Sequence, residues 1–280
     1  MARLKMKTIT YEFNVGVKKP VTLFVFSDLH ITSKMGPEVL TGLYRRAKRC
    51  HPDAIIFLGD LMDTVQFLDK ENNYKLLKNF LNQLAEVAPL YLIVGNHDMR
   101  SIERKMGRAF MVEPTDFWTD LAKNSKIKIL KNEIIEADKY LLAGMEQGPD
   151  CYNLNKEGGI NLLQRHILVS EKAEMMEEAL KEFLRKVRVP KEKDKPKILL
   201  VHSARFLTER NLGGLVSDYD VILSGHLHNM AMPEKAFRRM MSVWGLGLKD
   251  GHLVCPPVSV FADPKIQKPF SRYCAIVKIK

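Results

Sequence analysis

VTLFVFSDLH (residues 21–30), AIIFLGDLMD (54–63) and LYLIVGNHD (90–98) follow one plan. Each opens with a short apolar run rich in β-branched and aromatic residues and ends in Asp, His or Asn. Runs of this length without polar alternation predict strands buried on both faces. Between them, residues 37–49 carry Val39, Leu40, Leu43, Tyr44 and Ala47, and residues 74–87 carry Leu76, Leu77, Phe80, Leu81 and Leu84. Both spacings are helical. A β-α-β-α-β order predicts a parallel sheet core with covering helices.

Further along, residues 126–130, 140–143, 198–201 and 221–223 predict strands, and 273–279 a terminal strand. Residues 171–187 predict a long helix, acidic at its start and basic at its end as the helix dipole favours, with Ser170 as a cap and Pro190 helping to end it. A short helix is expected near 207–215. There is no internal repeat and no clear boundary, so one domain over 1–280 is expected, with 99–195 supplying substrate-side loops and a helix insertion.

Composition narrows the class. The chain has 280 residues, 46% apolar and 28% charged, as soluble globular proteins do. Its four cysteines, Cys50, Cys151, Cys255 and Cys274, form no CxxC pair and read as reduced thiols. No apolar run approaches the roughly 20 residues of a membrane span. The first residues lack an apolar signal core, so a cytoplasmic location is expected. The formal charge is +11, but 1–27 and 262–280 each carry net +4 and the 234 residues between only +3. If the two ends form neighbouring strands, they make one basic surface suited to an anionic membrane or polymer.

Five strand ends deliver chemistry: Asp28 and His30; Asp60 and Asp63; Asn96, His97 and Asp98; His202; and His226 and His228. Five of the eight histidines fall there. Ligands of open α/β sheets bind at the carboxyl ends of strands. Asp28 and His30, two apart in an extended segment, would project from one face, as would His226 and His228. Gly59, Gly95 and Gly225 mark close approaches of backbone to the site. Each cluster alone is a common turn; five in this order, each after an apolar strand, are not. His51, before Pro52-Asp53, is expected on a loop, and His166 and His252 lack partners at ligand spacing and read as structural. Trp118 and Phe110 suit core packing better than a pocket wall, and Arg205, Asn229 and Met230 adjoin ligand positions.

SDLH, GDLMD, GNHD, the lone His of LLVHS and GHLH together resemble the five signatures of calcineurin-like metallophosphoesterases, across roughly residues 21–229. The resemblance implies a sandwich of two mixed β-sheets flanked by helices, with two divalent metal ions (Mn, Fe or Zn) at one sheet edge. Asp28, His30, Asp60 and His228 would hold one ion; Asp60, Asn96, His202 and His226 the other. The implied reaction is hydrolysis of a phosphodiester or phosphomonoester, by in-line attack of a hydroxide bridging the metals. His97 matches the histidine that protonates the leaving oxygen, Asp63 the carboxylate that orients it, and Asp98 reads as loop support. Thr64-Val65 after Asp63 departs from the Arg-Gly of protein phosphatases, and His97 departs from the Arg of the lipid A pathway hydrolases. The match is better to small bacterial phosphodiesterase-like members. A DNA nuclease of the double-strand-break repair type shares the motifs and is the alternative; nucleic acid is otherwise not favoured as a partner. A non-catalytic scaffold is disfavoured because no ligand is missing.

Overall fold

A computed structural model describes residues 7–32, 38–103, 108–152, 172–190, 194–204, 206–207, 212–226, 253–254 and 273–280. In chain order these form β1 (Lys7–Phe13), β2 (Val21–Phe26), α1 (Glu38–Cys50), β3 (Ala54–Phe57), α2 (Glu71–Ala85), β4 (Leu90–Leu92), β5 (Arg100–Glu103), β6 (Arg108–Met111), α3 (Thr115–Leu121) and β7 (Ile127–Ile129). Then follow β8 (Glu133–Glu136), β9 (Leu141–Gly144), α4 (Ala173–Lys186), β10 (Lys197–Val201), β11 (Val221–Ser224), β12 (Leu253–Val254) and β13 (Tyr273–Ile279).

Two sheets carry the fold. The first has the order β1-β13-β2-β3-β4-β7, and the second β12-β11-β10-β9-β8. Both are mixed: β13 runs antiparallel to β2 in the first, and β8 antiparallel to β9 in the second. The layering follows from the period of two along a strand. In β2, Leu23 and Val25 face a core shared with Ile198, Leu200 and Leu223 of the second sheet. Phe24 and Phe26 face the opposite way, onto Leu43 of α1, Leu77 and Phe80 of α2 and Phe117 of α3. On the far side of the second sheet, Leu199 and Val201 pack on Met176, Leu180 and Phe183 of α4. Helices therefore cover both outer faces; β3 is apolar throughout, and β2 and β10 are apolar but for Thr22 and Lys197, because both faces are buried.

The two chain ends do pair: β1 lies parallel to β13, Lys7 opposite Tyr273 through Phe13 opposite Ile279. Acidic residues meet several of the lysines there. Glu12 pairs with Lys278 and Lys280, Lys18 with Asp194 and Lys19 with Asp138.

Residues 99–195 do more than decorate the substrate side. Among the described residues there, only the β5–β6 pair stands outside the two main sheets; β7, β8 and β9 are strands of the sandwich, and α3 and α4 cover it. These strands are only three or four residues long, and β8 reads EIIE. β7 and β9 lie where strands were expected at 126–130 and 140–143, whereas the two apolar residues of β8 give no strand-period signal. Near the short helix expected at 207–215, Phe206 and Leu207 are helical and Gly213–Val216 form a 3-10 turn, with 208–211 outside the described residues. Ser170, His166, Arg205, His228, Asn229, Met230 and His252 lie outside the described residues.

Candidate metal centre

The carboxyl ends of β2, β3, β4, β10 and β11 meet at one edge of the sandwich. The loops after β2 and β3 continue as a backbone ladder: the amides of Asp28 and His30 donate to the carbonyls of Gly59 and Asp60 at 2.9 and 3.0 Å. At the end of β11, the Gly225 amide donates to the His202 carbonyl at 2.9 Å. Sheet edges from both halves thus deliver their side chains to one place.

The geometry differs from an extended segment in one respect. Asp28, His30, Asp60 and His226 have φ of 52°, 42°, 60° and 66°. These residues are left-handed, so their side chains converge through backbone kinks rather than strand alternation. A non-glycine residue in this region costs about 1–3 kcal/mol and persists where surrounding structure enforces it. His51 shares this conformation, at 46°, but lies just past the end of α1, where a left-handed residue closes the helix.

Two triads of ligand-type atoms, each within 4.8 Å of one another, share Asp60: His30, Asp60 and His97, and Asp60, His202 and His226. The second is completed by Asn96. Its Oδ1 lies 3.0 Å from His202 Nε2 and 3.0 Å from His226 Nδ1, while His202 Nε2 stands 3.4 Å from Asp60 Oδ1. His202 Nδ1 donates to the Leu58 carbonyl at 2.7 Å. That bond fixes the tautomer and turns the Nε2 lone pair into the site. Neutral His202 therefore places an acceptor against acceptors, which a cation among them resolves. Asp60 Oδ2 is buried with no hydrogen bond, and its nearest basic partner, His30 Nε2, stands at 3.6 Å. The donor set and this orphaned oxygen fit divalent metal ions.

Electrostatics agree. Burial would lower the His202 pKa, but the Asp60 carboxylate and then Asp28 raise it to about 10. Burial opposes charge on Asp60, yet His202 and His97 hold its carboxyl well below the usual range. Burial pushes Asp28 up to about 7, and Asp60 adds to the rise. The cluster stabilises positive charge at its centre.

The structure brings together Asp28, His30, Asp60, Asn96, His97, His202 and His226. Asp28 belongs to neither triad: its carboxylate accepts the His226 amide at 3.0 and 3.2 Å and the Ser27 hydroxyl. His97 takes the third place beside His30, with ring centroids 4.3 Å apart. Its Nδ1 donates to the Asp63 carbonyl at 3.0 Å and faces the Asp63 carboxylate at 3.4 Å. Asp63 thus orients His97 through backbone as well as side chain. With Nδ1 engaged, Nε2 is the nitrogen available to a substrate.

Asp98 holds the loops. Its Oδ1 accepts the amides of Leu61 and Met62 at 2.7 and 3.3 Å, and its Oδ2 those of Asp60 and Gly95 at 2.8 and 3.0 Å. Gly59 and Gly95 leave room for the ligands. A Cβ on Gly95 would stand 2.3 Å from Asp60 Oδ1, and one on Gly59 2.6 Å from His202 Nδ1. Three supporting residues carried no sequence signal. Gln147 brackets Ser203, next to His202, accepting its amide at 2.7 Å and donating to its carbonyl at 2.8 Å. Gln66 ties down β5, and Arg100 stands beside His97. None belongs to a motif with a spacing of its own. Trp118 is core, packed on Phe117 among the helices over the first sheet.

The family model for calcineurin-like phosphoesterases matches residues 21–230. The chain belongs to this family, hydrolases of phosphoester bonds. It is similar to an uncharacterized metallophosphoesterase of Campylobacter jejuni, 24% identical over 216 residues, which is 76% of this chain and 45% of that protein. The chain therefore spans under half the length of that relative. Among solved structures, TT1561 of Thermus thermophilus aligns with a TM-score of 0.44 and 20% identity, over 74% of this chain and 82% of that one. A dimetal phosphatase from Danio rerio aligns with a TM-score of 0.45 and 12% identity, over 92% and 87%.

Proposed function

We propose that the chain is a two-metal phosphoesterase that hydrolyses a phosphodiester or phosphomonoester. The observation that carries this reading is Asp60, a buried carboxylate shared by two triads and left with one unpartnered oxygen. Asp60, Asn96, His202 and His226 would hold one ion. Asp60, His30 and Asp28, with His228 from the sequence pattern, would hold the other. Bound there, the ions would lower the pKa of a water to near neutrality and neutralise phosphoryl charge.

The chain's own residues do the rest. His97 protonates the leaving oxygen through Nε2, a contribution typically worth about 10²–10⁴-fold. Burial would lower its pKa, but Asp60 and Asp63 outweigh this and raise it, which favours the protonated acid. Asp98 and the two glycines set the loops before substrate arrives, so little reorganisation accompanies the reaction.

A panel of phosphomonoesters, phosphodiesters, nucleotides and DNA ends, assayed with the Mn²⁺-loaded protein, tests the proposal. Hydrolysis of small esters that Asp60→Asn abolishes supports it. Full activity of Asp60→Asn refutes the two-metal assignment. Degradation of DNA ends without hydrolysis of small esters would assign the nuclease alternative.

A further inference from the structure

The surplus of positive charge lies on α1 more than at the chain ends. Lys18 and Lys19 are paired with Asp194 and Asp138, and Lys280 with Glu12. On α1, Arg45, Lys48 and Arg49 are exposed and form no ion pair among the described residues. α4 shows the ordinary arrangement: Lys181 meets Glu177 and Glu178, and Arg185 and Lys186 meet Glu182. On α1 the positions three and four residues before each cation hold Thr41, Gly42, Tyr44, Arg45 and Arg46, and no acid. Arg45 is three residues from Lys48 and four from Arg49, so the three share one helix face and repel one another. The helix dipole favours Lys48 and Arg49 in the last turn but acts little on Arg45, a turn earlier.

β13 extends this face. Cys274 and Ile276 belong to the core that α1 covers, so Lys278, two residues on, points the same way. It lies within electrostatic reach of Cys50, the last residue of α1. Glu12 stands 3.5 Å from Lys278 and 2.9 Å from Lys280, so one carboxylate answers two ammonium groups. Asp53, the acid that follows α1, is engaged by Lys139 at 2.6 Å and by the Thr22 amide at 2.8 Å. Lys278 is opposite Thr22 at the start of β2, whereas the metal centre lies past the end of that strand. An exposed cationic face of this kind holds a polyanion by releasing its counterions. Arginine adds a planar fork of donors suited to phosphate oxygens. The exposed large apolar side chains among the described residues, Leu76, Val112, Met175 and Leu215, lie on neither α1 nor β13, so the face offers nothing to insert among lipid chains. We propose that Arg45, Lys48, Arg49 and Lys278 dock the phosphate backbone of duplex nucleic acid without reading its sequence. The duplex held there is a support for the chain and not the ester hydrolysed at the other end of the strands. This goes beyond the function proposed above and does not depend on it.

Fluorescence anisotropy of a short labelled DNA duplex, titrated with the full Mn²⁺-loaded chain over a range of salt, tests it. The triple variant Arg45→Gln, Lys48→Gln, Arg49→Gln should bind at least about tenfold more weakly at about 0.1 M salt. Its slope of log K against log[salt] should be shallower by about 2–3, since each phosphate contact contributes about 0.9. The triple variant Lys181→Gln, Arg185→Gln, Lys186→Gln removes the same charge from the ion-paired face of α4 and should change binding by less than about threefold. Equal losses in the two variants would mean that net charge alone acts, and overturn the proposal. A wild type that binds the duplex more weakly than about 10⁻⁴ M, the weak end of non-specific binding, overturns it as well. Capture on phosphatidylserine vesicles without duplex binding would assign the face to a membrane and also overturn it. Should the α1 variant fail to fold, Arg45→Gln alone should still make the slope shallower by about 0.9, and an unchanged slope refutes the assignment.

Discussion

Asp98→Asn isolates the loop support from the chemistry, because it changes no ligand and almost no volume. The carboxylate accepts two amides on each oxygen, from Leu61 and Met62 on one and from Asp60 and Gly95 on the other. An asparagine can keep only one pair. Whichever way the amide is turned, its NH₂ confronts two backbone N–H groups in a fully buried site. A buried donor left unsatisfied costs about 1–3 kcal/mol, so two should cost about 2–6 kcal/mol before relaxation. Rotation of the loop to recover those bonds would shift Asp60, which the same carboxylate holds. Urea unfolding should therefore show a lower midpoint at unchanged m, and Mn²⁺ affinity should fall in parallel. A variant within about 0.5 kcal/mol of wild type, the neutral range for surface changes, with undiminished metal binding would refute the reasoning.

Gly95→Ala should lower activity by about 10²-fold, because its Cβ would stand 2.3 Å from Asp60 Oδ1 and force a shift of about 1 Å; Gly214→Ala, with no atom within 4 Å, should retain full turnover. Gln147→Leu removes both partners of the Ser203 backbone, so it should destabilise by about 2–6 kcal/mol in urea and weaken Mn²⁺ binding through His202. Asp120 accepts bonds from Lys78, Tyr74 and Lys123, and these hold its pKa far below the usual carboxylate range. Its folded pKa is lower than its unfolded one, so its stabilisation is present at neutral pH and lost as pH falls below about 4. The thermal midpoint of wild type should then fall more steeply with acid than that of Asp120→Asn, and identical slopes would contradict this.

The most legible parts of the fold were those whose burial was written as continuous apolar runs. β2, β3, β4, β10 and β11 all lie where such runs predict them, and each ends at the site. α2 starts at Glu71, three residues before the apolar pattern begins, because Glu71, Asn72 and Asn73 add a polar first turn without marking the buried face. β5, β6 and β8 escaped because a four-residue hairpin or edge strand with mixed polarity has no period to read. In the site, the residues at the strand ends were readable from their order along the chain. Their left-handed backbone was not, since Asp and His at those positions show no sign of the ladder that enforces it. Gln66 and Gln147 act across 36 and 56 residues of sequence, and such pairings appear only once the sheets bring the loops together.

The central claim is that one shared carboxylate joins two metal sites. Metal analysis of the Mn²⁺-loaded protein, with an electron paramagnetic resonance spectrum of the same sample, tests it most directly. The account predicts two Mn per chain with the exchange-coupled signature of a dinuclear centre, lost in Asp60→Asn. Two uncoupled ions, or a coupled pair that survives Asp60→Asn, would contradict it.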